Sequence, residues 1–520
     1  MRWLLLVALV AGCAPAPRPP QPTLHNGSSV HIDKRVELMS IVMRLAGAEE
    51  YGQAIASPYT TDVDATFKPF AGHPAVAATK LLRERFGIAF DAPMHLAIHL
   101  DDQLQPKAIS DLVANDQRWR GVDVPAYAAK LRDFAEVAKL DQFMAKHALY
   151  YRRVEDAFRA RVDAEDPTDW FDAMFGARAG ARFVVVPGLL NGGANYGPHA
   201  TVDGTVEMYQ ILGIYRADAD GTPALDDETV ATLIHEMAHS YINPAFDRHQ
   251  EDLARAGKII FPLVEKRMRE QAYGDALTMF DEAGVRAITV VYLRDRHGTK
   301  AGADAEVDEV RRSFVWTPEL VRLFQVYRTR RDKFPTLEAF MPDVVGFFDE
   351  LATRYAQSGL PPQPFLGPID AVFDDVSFSA PDTKDAKVVS YVETIRAKLF
   401  PTAPRTPTGT KNLVAYGTPT SNMYVRVFLG NSGIQLNTGS IVIGTKSFTG
   451  SGLVLIACWP RMRDHAMAVY AAADDADLVG INSVRHGGTD WVVARRTDRG
   501  FETLGMGDFP KTLDGRWGLP

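Results

Sequence analysis

At 520 residues the chain is longer than one ordinary domain and long enough to bury a large core. Its 46% hydrophobic and 23% charged residues are those of a folded globular protein. The formal net charge of −8, with no basic run, argues against a nucleic-acid surface, so we expect no nucleic-acid partner.

The amino end has the pattern of an export signal. Residues 1–10 combine a short charged start with a brief apolar run that is too short to span a bilayer. The run leads to VAGC, which resembles the lipobox of bacterial lipoproteins and implies that Cys13 carries the lipid. Ala14 after this cysteine resembles lipoproteins of the outer membrane. We therefore expect residues 1–13 to direct export and Cys13 to anchor the protein at the outer membrane or cell surface; a secreted protein with an incidental cysteine is the alternative.

The next stretch and the cysteine count limit how the chain is stabilised. Residues 14–30 are rich in proline and small polar residues, which predicts a flexible tether. Cys13 and Cys458 are the only cysteines. If Cys13 is acylated, no disulfide can form, and Cys458 lies in an apolar run typical of a buried side chain.

A first domain is expected over residues 31–400. Sequence patterns predict helices at 36–46 and 74–86, and the run rich in Ala, Leu, Lys, Arg and Glu at 125–161 predicts one or two more. Runs of β-branched residues predict strands at 182–187 and 205–215.

A glycine-rich connection, residues 190–199, joins the two predicted strands. An edge strand that precedes a site-bearing helix can line a cleft and pair with extended peptide backbone. On that interpretation Tyr196 and His199 are candidate cleft residues. A plain hairpin loop is the alternative.

The stretch TLIHEMAHSYINP, residues 232–244, contains the pattern HExxH. On a helix His235 and His239 lie one turn apart on the same face, so both imidazoles can bind one zinc ion. Glu236 can then reach a water on the open side of the metal and act as general base. Chance occurrence, or two hydrogen-bonded core histidines, are the competing interpretations. The apolar composition of the helix disfavours the second, because buried imidazoles need partners.

The third ligand is expected on a second apolar helix. Residues 251–271 form one predicted helix and 276–292 another, helical at least in its first half. Glu282 lies on this apolar segment and completes a His₂Glu site that leaves one position for water. Asp281 and Glu265 are the competing ligands. Arg286, one turn further, is expected to support Glu282 or to face substrate, with a surface ion pair as the alternative.

The remaining chain predicts more helices and a second domain. Helices interrupted by prolines are expected from 303 to 359, and the proline-rich residues 401–411 indicate a linker. Residues 412–520 alternate short strands with helical candidates at 422–428 and 474–480, which predicts a small α/β domain. Its segment VAYGTPTSN is similar to a tail domain found on some exported bacterial hydrolases, and a binding or assembly role is expected.

Several motifs together resemble a known family. HEMAHSYINP, the later DEAGVRAI, and the preceding GHPAV, FDAPMHLAIHL and VVVPGLLNGGANYG are similar to a domain-of-unknown-function family of exported bacterial proteins, described as zinc metallopeptidases of the HExxH, Glu-zincin type. The similarity covers about residues 36–294. It implies an α+β chain with a zincin-like domain, metal ligands His235, His239 and Glu282, and catalytic Glu236.

The leading hypothesis is a zinc-dependent metallopeptidase that cleaves peptides or proteins outside the cytoplasm. A group that stabilises the transition state is also required. The candidates are Tyr241, Arg286, Tyr292, Tyr196 and His199. Two alternatives remain: a catalytically silent lipid-anchored binding or envelope-assembly protein on a zincin scaffold, and a metal-dependent amidase acting on a non-peptide substrate such as a cell-wall crosslink.

Overall fold

The computed structural model describes residues 29–178, 181–202, 204–214, 216–218, 220–405, 411–462 and 464–520. The predicted export signal, the acylation of Cys13 and nearly all of the 14–30 tether lie outside the described residues.

Helices dominate the described chain. Those of the first part are α1 (Lys34–Leu45), α2 (Glu49–Gly52), α3 (Pro58–Phe67), α4 (Pro74–Phe86), α5 (Ala92–Ile98), α6 (Ile109–Asn115), α7 (Val124–Val137), α8 (Leu140–Glu165) and α9 (Pro167–Phe175). Those that follow are α10 (Asp227–Arg248), α11 (Gln250–Glu270), α12 (Ala276–His297), α13 (Thr299–Arg311), α14 (Thr317–Thr329), α15 (Leu337–Ser358), α16 (Ala386–Leu399) and α17 (Met423–Ser432). None of the described helices combines the length and hydropathy needed to cross a bilayer.

The strands form three sheets. In chain order they are β1 (Ser29–Val30), β2 (Ala181–Gly188), β3 (His199–Val202), β4 (Thr205–Gly213), β5 (Val376–Ser379), β6 (Asn412–Gly417), β7 (Gln435–Asn437), β8 (Ser440–Ile443), β9 (Lys446–Thr449), β10 (Leu453–Pro460), β11 (Ala466–Ala472), β12 (Trp491–Thr497) and β13 (Gly500–Gly507). Their orders are β1-β2-β4-β3, β13-β12-β10-β11-β6-β5 and β7-β8-β9. Separate small sheets among many helices confirm the predicted α+β class.

The chain packs as two compact units, one ending at Met237 and the other running from Ala238 to Pro520. In the first unit β2 is parallel to β1 and β4, while β3 pairs antiparallel with β4 and forms an edge. The division falls inside α10, which continues through it without a break.

Capping residues and glycines near helix ends determine where several helices begin and end. Helix α4 has the predicted bounds because His73 caps it, accepting a hydrogen bond from the backbone N–H of Ala75, and Pro74 occupies its first turn. Gly87, with φ of 66°, ends it in the left-handed conformation. Residues 125–161, for which the sequence predicts one or two helices, form two, α7 and α8, with Lys139 at a left-handed φ of 54° between them.

Other expectations were wrong. Pro342, expected to interrupt a helix, lies inside α15, and Pro244 likewise lies inside α10. Each proline removes one backbone donor and crowds the preceding turn, but the helix continues past it. The helix predicted at 474–480 is a 3₁₀ turn, Asp475–Leu478, capped by the side chain of Asp474.

The six-stranded sheet begins upstream of the predicted second domain. Its edge strand β5 pairs parallel with β6, and α16 contributes Val388 and Val392 to the core beneath it. Elements on both sides of the predicted linker 401–411 therefore share one sheet and core, with β5 and α16 before it and β6 after it. We call residues 365–520, as far as they are described, the C-terminal domain.

Candidate metal centre

Helix α10 carries both histidines of the motif. Asp226 accepts a hydrogen bond from the N–H of Thr229 at 3.2 Å, and acidic residues follow in the first turn, where they complement the helix dipole. The intervening apolar side chains of the motif region are buried, namely Leu233, Ile234, Met237 and Ala238. Their burial fixes the rotation of the helix, and His235 and His239 lie one turn apart along it.

Helix α12 carries the predicted third ligand. It starts at Ala276 with Asp275 as its cap, which accepts from the N–H of Thr278 at 2.9 Å. Every residue from Glu282 to Tyr292 is buried, and Glu282 itself is 8% exposed. A carboxylate in such a position needs charged or metal partners to offset its lost hydration.

The three predicted ligands come together. Ligand atoms of His235, His239 and Glu282 all lie within 4.8 Å of one another. Nε2 of His239 is 3.5 Å from Oε1 of Glu282. Metal–ligand bonds of about 2.0–2.1 Å in a tetrahedron separate two ligands by about 3.3 Å, so this pair is spaced for one small cation. Two imidazole nitrogens and one carboxylate oxygen form the donor set of a catalytic zinc site, and the residues fit that metal.

Asn243 supports His239, a role that the sequence analysis missed. Nδ1 of His239 donates to Oδ1 of Asn243 at 3.1 Å, one turn further along α10. With the proton on Nδ1, the lone pair of the ring lies on Nε2, the atom facing Glu282, as a metal ligand requires. The four-residue spacing was the available signal.

Arg286 is buried beside Glu282 and is held from several sides. Its Nη2 is 3.3 Å from Oε2 of Glu282, and its Nη1 donates to Glu309 at 2.6 Å. Tyr273 accepts a second hydrogen bond at 2.7 Å, and the guanidinium lies 4.7 Å from the ring centre of Phe314. Burial alone would lower the pKa of Arg286, but the two carboxylates raise it above its ordinary value. Arg286 is therefore a permanent cation that supports Glu282.

Glu236 lies against the segment that leads into the edge strand β3. A Cβ on Gly197 would be 3.3 Å from Oε2 of Glu236, so glycine permits the close approach of this backbone. Tyr196, next to it, pairs with Ile211 of β4 through two backbone hydrogen bonds of 2.9 Å. Its hydroxyl is buried near that of Tyr51, and burial raises its pKa. The glycine-rich segment 190–199 therefore comes close to Glu236 at Gly197.

Among the remaining candidates, His199 is not one of the three convergent groups, and helix geometry relates Tyr241 and Tyr292 to the ligands. Tyr241 follows His239 by two residues, which is about 200° around the helix. Tyr292 lies ten residues beyond Glu282 on α12, about 15 Å along the axis. Burial, followed by the charges of His95 and His99, lowers the pKa of His199, while the carboxylate of Asp111 opposes this shift.

The two competing ligands lie outside the cluster. Glu265 pairs with Arg269 at 2.8 Å on α11 and is largely exposed. Asp281 precedes Glu282, but its carboxylate is not among the three convergent groups. Burial, and after it the charges of Asp247 and Glu282, raise the pKa of Asp281 to about 8.

Gly284 brings α12 close to the second half of α10. A Cβ at this position would lie 2.7 Å from Cγ2 of Ile242 and 3.0 Å from Cζ of Phe246. A side chain would therefore push apart the two helices that carry His239 and Glu282. Like Gly197, Gly284 therefore permits a close approach between two segments.

We expect Gly284→Ala to lower the free energy of unfolding by about 1–3 kcal/mol and to weaken zinc binding, because the inserted methyl group separates the two helices. Gly346→Ala is the matched control: it lies inside α15 with no heavy atom within 4 Å of the added Cβ. It should stabilise by about 0.5–1 kcal/mol. Denaturant titration and zinc titration measure both effects, and equal behaviour of the two variants would contradict the packing argument.

Comparison with known proteins places the chain in one family. The family model described as "Domain of unknown function (DUF4932)" matches residues 29–347, which include α10, α12 and all three convergent ligands. No curated protein and no solved structure matches the chain. The family description names no activity, metal or substrate.

Proposed function

The chain belongs to the family described as Domain of unknown function (DUF4932), and from its site we propose that the protein is a zinc-dependent metallopeptidase of the zincin type. One observation carries the proposal: two imidazoles and a carboxylate from two helices converge, with ligand atoms within 4.8 Å of one another. Glu236 follows the first histidine directly, as a general base at such a site requires.

His235, His239 and Glu282 would hold the metal. When bound there, zinc would polarise the scissile carbonyl and make water a better nucleophile near neutral pH. Glu236 takes a proton from the attacking water and returns it to the departing amine, which is the role of a general base and then a general acid.

Two side chains keep the ligands in the right state. Asn243 accepts a hydrogen bond from Nδ1 of His239 and so orients the ring. Arg286 stays cationic beside Oε2 of Glu282 and restrains the rotation of this carboxylate. Such partners set ligand orientation and basicity in metal sites generally.

A peptide substrate is supported by the edge of the first sheet. Strand β3 is an outer strand there, and the segment before it lies beside Glu236 at Gly197. The outward groups of β3 itself are occupied, because the carbonyl oxygen of His199 accepts from Asn115 and the N–H of Thr201 donates to Asp111. We therefore place the proposed pairing with an extended peptide at the segment before β3, beside Gly197, where backbone hydrogen bonds would not depend on side-chain identity. A peptide bound there would present its carbonyls near the general base. We further propose that this hydrolysis occurs in the bacterial envelope.

The experiment that tests the proposal profiles the purified protein with zinc against a peptide library and a muropeptide library. We expect cleavage of peptides, inhibition by a chelator, and recovery when zinc is added back. Without the metal, neither the scissile carbonyl nor the attacking water is polarised. Cleavage confined to muropeptide crosslinks would instead make the protein an amidase. Zinc binding without turnover in either library would favour the scaffold alternative.

A further inference from the structure

We propose that the C-terminal domain positions the metal ligand Glu282, through Arg286, Glu309 and Arg311. The inference rests on the proposed function in one respect, that Glu282 ligates a metal. The C-terminal domain, whose sequence offers no catalytic group, would then contribute to metal binding. All the contacts involved lie within the unit that begins at Ala238.

The first link is the pairing of Arg286 with two carboxylates. Glu282 directs Oε1 towards His239 and Oε2 towards Arg286, at 3.5 and 3.3 Å. Arg286 directs its other terminal nitrogen to Glu309 at 2.6 Å. Arg286, Glu282 and Glu309 are 7%, 8% and 8% exposed, so water screens these charges little. A displacement of the Glu309 carboxylate would therefore displace the guanidinium group of Arg286, which pairs with Glu282.

The second link is the position of Glu309 in the last turn of α13. Helix ends fray unless their final groups are anchored. Here Nη1 of Arg312 reaches Oε1 of Glu309 at 3.0 Å, and the chain then turns at Ser313, with φ of 73°. The geometry of Glu309 therefore depends on what fixes the end of this helix.

The third link attaches that helix end to the C-terminal domain. Arg311, two residues after Glu309, donates to the carbonyl oxygen of Gly488 at 3.2 Å and to Oδ1 of Asp508 at 3.3 Å. Its Nη2 also lies 3.5 Å from Oδ1 of Asp490. The side chain of Arg311 is 9% exposed and that of Asp490 is fully buried. The end of α13 is thus bound to the domain by a buried cation.

Asp490 is itself fixed inside the domain. It accepts the N–H of Phe509 at 2.9 Å and contacts the ammonium group of Lys511, which in turn donates to the carbonyl oxygen of Leu366 at 2.8 Å. Several charges and backbone groups thus fix the carboxylate in one orientation. Arg311 therefore contacts one buried carboxylate, that of Asp490, in addition to its hydrogen bonds with the more exposed Gly488 and Asp508.

The test measures the zinc dissociation constant of the full chain by competition with a chelator. We expect Arg286→Met to weaken zinc binding about 10–100-fold, the range for partners of a ligand. Glu309→Gln and Arg311→Met should weaken it by smaller factors, at least threefold. Arg255→Met is the matched control, since Arg255 makes an exposed pair with Asp349, at 2.9 Å, on helices outside this chain of contacts. It should leave the constant within twofold of wild type.

A second measurement separates positioning from loss of folding. If Arg311 acts through Arg286, the double variant Arg286→Met with Arg311→Met binds zinc no more weakly than Arg286→Met alone. The visible absorption of the cobalt-substituted protein, which reports ligand geometry, should change in Arg311→Met and largely recover in Arg311→Lys. Additive effects, or an Arg311→Met constant equal to that of the Arg255→Met control, would overturn the inference.

The proposed function can fail separately. A wild-type protein that binds zinc but hydrolyses nothing would remove the peptidase proposal and leave these comparisons of zinc affinity valid. A wild-type protein that binds no zinc would overturn both. Variants that bind zinc as wild type does, in a protein that cleaves peptides, would overturn this inference alone.

Discussion

Glu236→Gln is expected to lower kcat/KM for peptide hydrolysis by roughly 10²–10⁴-fold while zinc remains bound. Glutamine has nearly the same shape as glutamate but cannot take a proton from water at neutral pH. The three convergent ligands are His235, His239 and Glu282, so the substitution leaves the metal donors intact. Activity and metal content should therefore separate in this one variant.

The measurement pairs steady-state kinetics on a cleaved peptide with metal analysis of the same preparation. Glu228→Gln is the matched control, because Glu228 lies in the first turn of the same helix and is 67% exposed. It changes the net charge of α10 by the same amount. Glu236→Gln with wild-type kinetics would remove Glu236 from the mechanism. Loss of zinc in this variant would instead show that the carboxylate helps to hold the metal.

Residues close in sequence were the ones that could be predicted. His235, Glu236 and His239 follow from the repeat of an α-helix, and helix α4 follows from a capping histidine, a proline and a glycine that all act within a turn. Glu282 required one further argument, that a carboxylate on an apolar helix must find a partner. Its convergence with the histidines depends on the packing of α10 against α12, to which Gly284 contributes.

Supporting contacts could not be predicted because they join distant segments. Glu309 lies 23 residues from Arg286, and nothing in either stretch indicates the pair. Gly197 is one of several glycines in a loop, and only its distance from Glu236 distinguishes it. The pairing of β5 with β6 could not be predicted, because a proline-rich stretch such as 401–411 has the same composition whether it joins two domains or two elements of one sheet.

His235→Ala and Glu282→Gln are each expected to abolish tight zinc binding. Removing one of three protein ligands should weaken affinity by more than the ~10–100-fold that loss of an outer partner causes. Zinc that binds only the folded state raises stability in proportion to the logarithm of its concentration over Kd. The Tm of the wild-type protein should therefore rise as zinc is added, and the Tm of neither variant should rise.

The control for this result is Glu265→Gln, which removes the competing ligand on α11. Glu265 pairs with Arg269 at 2.8 Å and its side chain is 44% exposed, so its loss should change neither zinc content nor the zinc-dependent rise in Tm. A Glu282→Gln protein that keeps zinc while Glu265→Gln loses it would reverse the ligand assignment. The reversal would also detach Arg286, Glu309 and the C-terminal domain from the metal, because their contacts reach the site only through Glu282.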